Sequence, residues 1–212
     1  MTAPDIAPDF GRLVRLIRDR LERAGVPDAA RDARLLVAHA ADLGDAGLIV
    51  RERDKVDGGI VRRAEVHADR RAAGEPVARI VGEKEFYGLV FELGTATLVP
   101  RPETELLVDV ALEHLAANRA PRFLDLGTGS GCIAIAVAAH CPAASGLATD
   151  ASEAALDTAR SNAATYGVGD RLGFARGDWY GAVPEGARFD LIVANPPYVE
   201  TGAISGLAPE VR

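Results

Sequence analysis

Arg122-Phe123-Leu124-Asp125-Leu126-Gly127-Thr128-Gly129-Ser130-Gly131-Cys132-Ile133-Ala134-Ile135-Ala136-Val137-Ala138-Ala139 is the stretch whose reading decides the fold. A short apolar run turns on three glycines at alternate positions. A longer apolar run, free of Gly and Pro, then follows. The pattern predicts a strand over 123–126 and a helix over 133–139. Glycines between a strand and a helix let the backbone approach a ligand, because no Cβ holds it off. The dinucleotide fingerprint GxGxxG would need glycine at position 132, which is Cys132. The GxGxG spacing suits a ligand without a pyrophosphate.

Downstream, strand and helix patterns alternate. Residues 146–149 read as a strand and 153–166 as a helix. Residues 172–175 read as a third strand and 189–194 as a fourth. Near-continuous apolar strands alternating with helices predict an α/β fold, with a parallel sheet covered on both faces. In such a sheet ligands lie at the carboxyl ends of the strands. Asp125, at the end of the first strand, cannot serve a phosphate but can hold the ammonium end of S-adenosylmethionine, directly or through water. Gly127, Thr128, Gly129, Ser130 and Gly131 would then form the cofactor loop. Asp150 ends the second strand, where an acid accepts hydrogen bonds from ribose hydroxyls; it could instead cap the helix beginning near Ser152. Gly177-Asp178-Trp179 follows the third strand. Asp178 could bind the adenine amino group. Trp179 could pack against the cofactor or anchor the core.

Asn195-Pro196-Pro197-Tyr198 follows the fourth strand. Two prolines cannot continue a ladder and fix a rigid turn at the ligand edge. The Asn195 side-chain oxygen and the Pro196 carbonyl make two acceptors, suited to a planar NH₂ group, and Asn195 also borders the cofactor. Pro197 completes the turn and Tyr198 supplies a flat ring over the substrate. The expected chemistry is methyl transfer to a planar nitrogen.

Upstream, residues 12–24 place Leu13, Leu16, Ile17 and Leu21 on one helical face, with Gly25 as the stop. A second helix is expected from Pro27-Asp28 to about Leu43, with Leu35, Leu36, Ala40 and Leu43 as its apolar side and Gly44 as its end. A third covers about 56–73, closed by Gly74. The pairs Arg62-Arg63 and Arg70-Arg71 read as solvated surface. The run Phe86 to Leu93, punctuated by 94–97 and resumed at Leu98-Val99, reads as a β-hairpin joining two domains. In Pro100-Arg101-Pro102-Glu103-Thr104-Glu105, Pro102 suits the first turn of a helix.

The chain has 24 basic and 31 acidic residues, so it lacks the positive charge a phosphate-binding surface usually supplies, and no direct nucleic-acid partner is expected. Cys132 and Cys141 fit neither a redox pair nor a zinc ribbon and are expected to be buried apolar thiols. His39, His67, His114 and His140 are scattered, so no metal site is expected. The Pro-rich first residues lack the apolar centre of a signal peptide, and no apolar run approaches a membrane span of about 18 residues. A cytoplasmic location without membrane partners is expected.

In order along the chain, Gly74-Glu75-Pro76, Phe86-Tyr87-Gly88, Leu98 to Glu105, Asp125 to Gly131, Gly177-Asp178-Trp179 and Asn195 to Tyr198 resemble the motifs of the release factor glutamine methyltransferase family. The Pro-Arg-Pro-Glu-Thr segment and its hairpin separate this chain from nucleic-acid methylases that share only the tetrapeptide. The resemblance implies a Rossmann-like methyltransferase sheet over 101–212, a hairpin linker over 85–100 and a helical domain over 1–84 that helps hold the substrate. It also implies methylation of the glutamine in the Gly-Gly-Gln motif of peptide chain release factors. Methylation of a ribosomal-protein glutamine or an adenine amino group, or a SAM-binding fragment without catalysis, are the alternatives. In that family further strands follow the fourth, so the sheet here is expected to be C-terminally incomplete, with an exposed apolar edge.

Overall fold

The computed structural model describes residues 7–196, which divide into two compact units, one ending at Val81 and the other beginning at Gly82.

The first unit is helical: α1 Phe10–Arg23, α2 Ala29–Ala40, α3 Asp45–Val50, α4 Gly58–Ala72 and α5 Val77–Val81. Asp9 caps α1 by accepting the Arg12 amide at 2.7 Å, and Asp57 accepts that of Gly59 at 2.7 Å ahead of α4. Phe10, Leu13, Ile17 and Leu21 form the buried stripe of α1. Leu16, expected in that stripe, is 51% exposed, because it sits about 100° around the helix from Ile17. The second helix stops at Ala40 rather than near Leu43. Asp42 takes the left-handed conformation (φ 53°), and the Leu43 amide turns back to the Ala38 carbonyl at 2.9 Å. The helices α3 and α5 had no counterpart in the sequence pattern. The arginine pairs divide. Arg62, Arg63 and Arg70 are exposed, but Arg71 is buried and its Nε donates to Asp32 Oδ2 at 2.7 Å. Arg63 also bonds the Ala40 carbonyl at 2.8 Å, at the end of α2.

The second unit opens with the hairpin β1 Glu83–Phe86 and β2 Leu89–Glu92. Its turn is Tyr87-Gly88, both left-handed (φ 53° and 74°), the signature of a primed two-residue turn. The hairpin is therefore earlier and tighter than the pattern suggested. The run from Phe86 to Leu93 is not one strand but the corner and return strand of the hairpin, and Leu98-Val99 lies in no strand among the described residues. Phe86 and Phe91 are almost wholly buried in this unit's core, edge to face at 6.1 Å. A 3₁₀ turn over Pro102–Thr104 leads into α6 Glu105–Leu115, so Pro102 opens a 3₁₀ turn rather than the α-helix itself.

The sheet follows: β3 Arg122–Leu126, α7 Cys132–His140, β4 Ser145–Asp150, α8 Glu153–Thr165, β5 Leu172–Arg176 and β6 Leu191–Ala194. All strands are parallel, in the order β5-β4-β3-β6. The α7 helix is apolar all round, and Cys132 to Ala138 are all buried. The chain runs outward from β3 through β4 to β5, then returns to lay β6 on the other side of β3. That reversal opens a crevice at the carboxyl ends of β3 and β6, where ligands bind in such sheets. Among the described residues β6 is an edge strand; Val193 is buried and Ile192 is 47% exposed.

Candidate cofactor and methyl-transfer site

Strand register alone gathers the site. Leu126 pairs with Thr149 on one side and Ala194 on the other. The residues that follow, Gly127, Asp150 and Asn195, therefore leave three neighbouring strand ends together. A fourth end joins through the Gly177 amide, which donates to the Asp150 carbonyl at 3.0 Å.

Gly127, Gly129 and Gly131 are all left-handed, with φ of 72°, 58° and 82°. The loop is pinned at its root by the Gly127 and Thr128 amides, each 2.9 Å from the Thr149 carbonyl. A Cβ on Gly127 or Gly129 would meet nothing within 4 Å, so the loop faces open space. A Cβ on Gly131 would press on α7 and α8, 2.8 Å from Ile135 Cδ1 and 3.1 Å from Ala159 Cβ. Two glycines thus clear room for a ligand, and the third lets the helices close.

Asp125 is fully buried; its Oδ2 accepts the Thr128 hydroxyl at 2.6 Å, and Oδ1 has no hydrogen-bond partner. Burial pushes its pKa up to about 6; the Thr128 hydroxyl and the Ala134 amide dipole oppose the rise, and the Asp150 charge adds to it. Ser130 Oγ is buried as well and lies against the Cys132 thiol. A buried carboxylate oxygen left without a partner at the root of an open loop fits a ligand carrying N–H donors and positive charge, the character of the methionine ammonium. Cys132 is a structural thiol, its pKa pushed by burial to about 12, whereas Cys141, expected to be buried, is only half-buried.

Asp150 bridges two segments. Its Oδ2 accepts the Gly129 amide at 2.9 Å and its Oδ1 the Ser152 amide at 2.9 Å. Ser152, not Asp150, caps α8, through its hydroxyl and the Ala155 amide at 3.3 Å. Each carboxylate oxygen keeps a second lone pair for a ribose hydroxyl. Asp178 is exposed at the start of a 3₁₀ turn over Trp179–Ala182. Trp179 is 55% exposed with φ 47°, which removes its reading as a core anchor. A bulky residue in that region of backbone space is uncommon.

Asn195 is half-buried, and its Nδ2 donates to the Thr104 hydroxyl at 3.0 Å. Pro196 ends the described residues; Pro197 and Tyr198 lie outside them. Sequence reasoning missed two supports. One is Thr104. The other is Asn162 on α8, 3% exposed, whose Oδ1 accepts the Glu92 amide at 2.9 Å and whose Nδ2 donates to the Ser130 carbonyl at 2.9 Å and the Glu92 carbonyl at 3.1 Å. It latches the glycine loop to the end of the hairpin. Its only sequence signal was a polar residue between the alanines of an amphipathic helix. Among the described residues no group of three or more His, Cys, Asp or Glu could hold a metal, and no helix is long and apolar enough to cross a membrane.

The parallel sheet, the open glycine loop with its buried acid and the placement of Asn195 at the neighbouring strand end define an S-adenosylmethionine-dependent methyltransferase. Residues 104–208 match the family model "Methyltransferase small domain", and residues 12–82 match "PrmC N-terminal domain". The release factor glutamine methyltransferase of Cereibacter sphaeroides is 48% identical over 193 residues, covering 91% of this chain and 67% of that protein. That of Nitratidesulfovibrio vulgaris is 44% identical over 201 residues, covering 94% of this chain and 68% of that protein. The chain belongs to the release factor glutamine methyltransferase family. Among solved structures, an RNA methyltransferase from Salinibacter ruber in complex with S-adenosyl-L-homocysteine is 28% identical, covering 45% of this chain and 60% of that one, at a TM-score of 0.39.

Proposed function

We propose that the protein transfers a methyl group from S-adenosylmethionine to the side-chain amide nitrogen of the glutamine in the Gly-Gly-Gln motif of peptide chain release factors. The observation that carries this reading is the placement of Asn195 at the end of β6, beside the end of β3 where the glycine loop begins. S-adenosylmethionine, when bound, supplies a methyl group on a positively charged sulfur, already electrophilic. An amide nitrogen is a poor nucleophile because its lone pair is delocalised into the carbonyl. Asn195 Oδ1 and the Pro196 carbonyl accept hydrogen bonds from the two amide N–H groups and turn the nitrogen toward the cofactor loop; as the N–C bond forms the S–C bond breaks, S-adenosylhomocysteine leaves, and the methylated nitrogen gives up one of its two protons. Positioning and fixed dipoles supply most of the acceleration. Asp125 and Ser130 receive the ammonium end, Asp150 the ribose, and Asp178 and Trp179 the adenine. Pro197 and Tyr198 complete the substrate-binding set, the flat Tyr198 ring being suited to a planar amide. The helical unit within 1–84 holds the release factor, a substrate that places the enzyme in the cytoplasm.

The test is methyl transfer from labelled cofactor to purified release factor, with ribosomal protein and nucleic acid as comparators. Asn195→Ala should lower transfer about a hundredfold or more while cofactor binding persists. Preferential labelling of nucleic acid or of a ribosomal protein would overturn the substrate. Cofactor binding without transfer to any of the three would overturn the activity.

A further inference from the structure

An asparagine amide is nearly symmetric in shape but not in chemistry. Rotation by half a turn about its last torsion exchanges the acceptor oxygen for a donor NH₂. A site that must accept protons from a substrate amide fails in the flipped form, where donor meets donor. Pro196 restricts the backbone after Asn195 but not that torsion. The required restraint comes from 91 residues earlier in the chain.

We propose that Thr104 is the positioning residue for Asn195: with its own proton directed elsewhere, the Thr104 hydroxyl accepts from Asn195 Nδ2, pins the side chain and leaves Oδ1 as the acceptor for the substrate amide. The contact is 3.0 Å. Thr104 is 7% exposed and firmly placed. Its amide donates to the Arg101 carbonyl at 3.0 Å, closing the 3₁₀ turn that Pro102 opens. The next residue starts α6, which is anchored in the core by Val108, Ala111 and Leu115. Glu105 Oε1 also accepts the Tyr87 amide at 2.9 Å, tying this corner to the hairpin turn. On the other side, β6 is fixed by pairing with β3 and by the approach of His114 Nε2 on α6 to the Asp190 carbonyl, 3.2 Å apart. Both ends of the Thr104–Asn195 contact therefore ride on rigid elements, as a positioning contact requires. The helix could begin equally well with any small residue here; the hydroxyl caps no α6 amide. Its described bond goes to Asn195.

The inference rests on Asn195 serving as the acceptor for the target amide, and the test separates the two. Thr104→Val keeps the shape and deletes the hydroxyl; Thr104→Ser keeps the hydroxyl. Measured on release factor, Thr104→Val should lower kcat about ten- to a hundredfold, the scale expected when a reacting group is misplaced by about an ångström. The Kd for S-adenosylmethionine and the thermal midpoint should hold, and Thr104→Ser should recover most of kcat. The Asn195 side-chain amide protons, followed by NMR in the cofactor-bound protein, should shift and exchange faster in Thr104→Val than in wild type. Unchanged Asn195 resonances in Thr104→Val overturn the contact, as does a Thr104→Ser variant no better than Thr104→Val. Altered resonances with undiminished kcat overturn its positioning role. A wild-type protein that methylates no release factor refutes the proposed function, and the resonances then judge the contact alone.

Discussion

Alanine at Gly129 and at Gly131 should do opposite things, although both sit in the same loop with positive φ. At Gly131 an ideal Cβ lies 2.8 Å from Ile135 Cδ1, 3.1 Å from Ala159 Cβ and 3.3 Å from Ala159 Cα, with φ at 82°. The left-handed backbone costs roughly 1–2 kcal/mol with a Cβ present, and the crowding between α7 and α8 about 1–3 kcal/mol more. The smaller entropy of the unfolded chain returns about 0.4–1 kcal/mol, so Gly131→Ala should lose about 1–4.5 kcal/mol of stability. At Gly129 the backbone term stands alone, because nothing lies within 4 Å of the added carbon. Part of that term is offset by the smaller entropy of the unfolded chain, worth about 0.4–1 kcal/mol, so the net loss is about 1 kcal/mol. The Gly129 methyl instead enters the space assigned to the cofactor. Urea unfolding without ligand and calorimetric titration with S-adenosylmethionine separate the two effects. Gly129→Ala should unfold near the wild-type midpoint yet bind at least about tenfold more weakly, a loss of about 1.4 kcal/mol. Gly131→Ala should carry the large stability loss. Equal stability losses would refute the packing argument. A Gly129→Ala protein that binds as tightly as wild type would remove the cofactor from the face of the loop.

Three further outcomes are expected. Asp150→Ala should weaken S-adenosylmethionine binding by roughly 1.5–3 kcal/mol per lost ribose bond, and should also cost about 1–3 kcal/mol of stability, because the Gly129 and Ser152 amides lose their acceptor; an unchanged Kd in calorimetry would leave Asp150 a loop clasp only. Asn162→Ala should destabilise the ligand-free protein by about 2–4 kcal/mol, since the buried Ser130 carbonyl and the less buried Glu92 groups lose their partner, and hydrogen exchange should rise in the glycine loop; exchange unchanged at 127–131 would refute the latch. Asp125 gives a pH signature. Its folded pKa of about 6 lies above the ordinary 3.8, so the folded protein holds the proton more tightly than the unfolded chain. That stabilisation is complete below about pH 3.8 and is lost as pH rises through about 6, a change of about 3 kcal/mol in the ligand-free protein. The cofactor ammonium favours the carboxylate, so affinity should rise with pH through that same window, with proton release on binding. The trend should vanish in Asp125→Asn, and a pH-independent wild-type Kd between pH 5 and 7 would refute the placement of the ammonium.

The misread elements share a physical cause. Phe86 to Leu93 looks like one strand because apolar and β-branched residues dominate it, but Tyr87 adopts a left-handed turn that aromatic residues seldom take. Its side chain helps hold it there: the hydroxyl donates to Asp109 Oδ1 at 2.7 Å, and the ring stacks edge-on against His140 at 4.9 Å. Leu16 and Arg71 exchanged their expected places because periodicity fixes which residues share a face, while burial depends on which other helix arrives there. Arg71 is buried because Asp32, 39 residues away, meets it.

By itself the sequence determined the strand–glycine loop–helix unit, the parallel sheet, the acids at the strand ends and the place of Asn195 just past the last described strand. All of these are local signals: apolar periodicity, the freedom of glycine and the missing amide of proline act within a few residues. Only the tertiary structure decided that Asn162 latches the loop, that Asp150 clasps Gly129 as well as facing the site, that Trp179 stands out of the core and that Thr104 holds Asn195. Those contacts join residues 21 to 91 positions apart, and a hydrogen bond of about 3 Å between such residues exists only once the packing of α6, α8 and the sheet has fixed both ends.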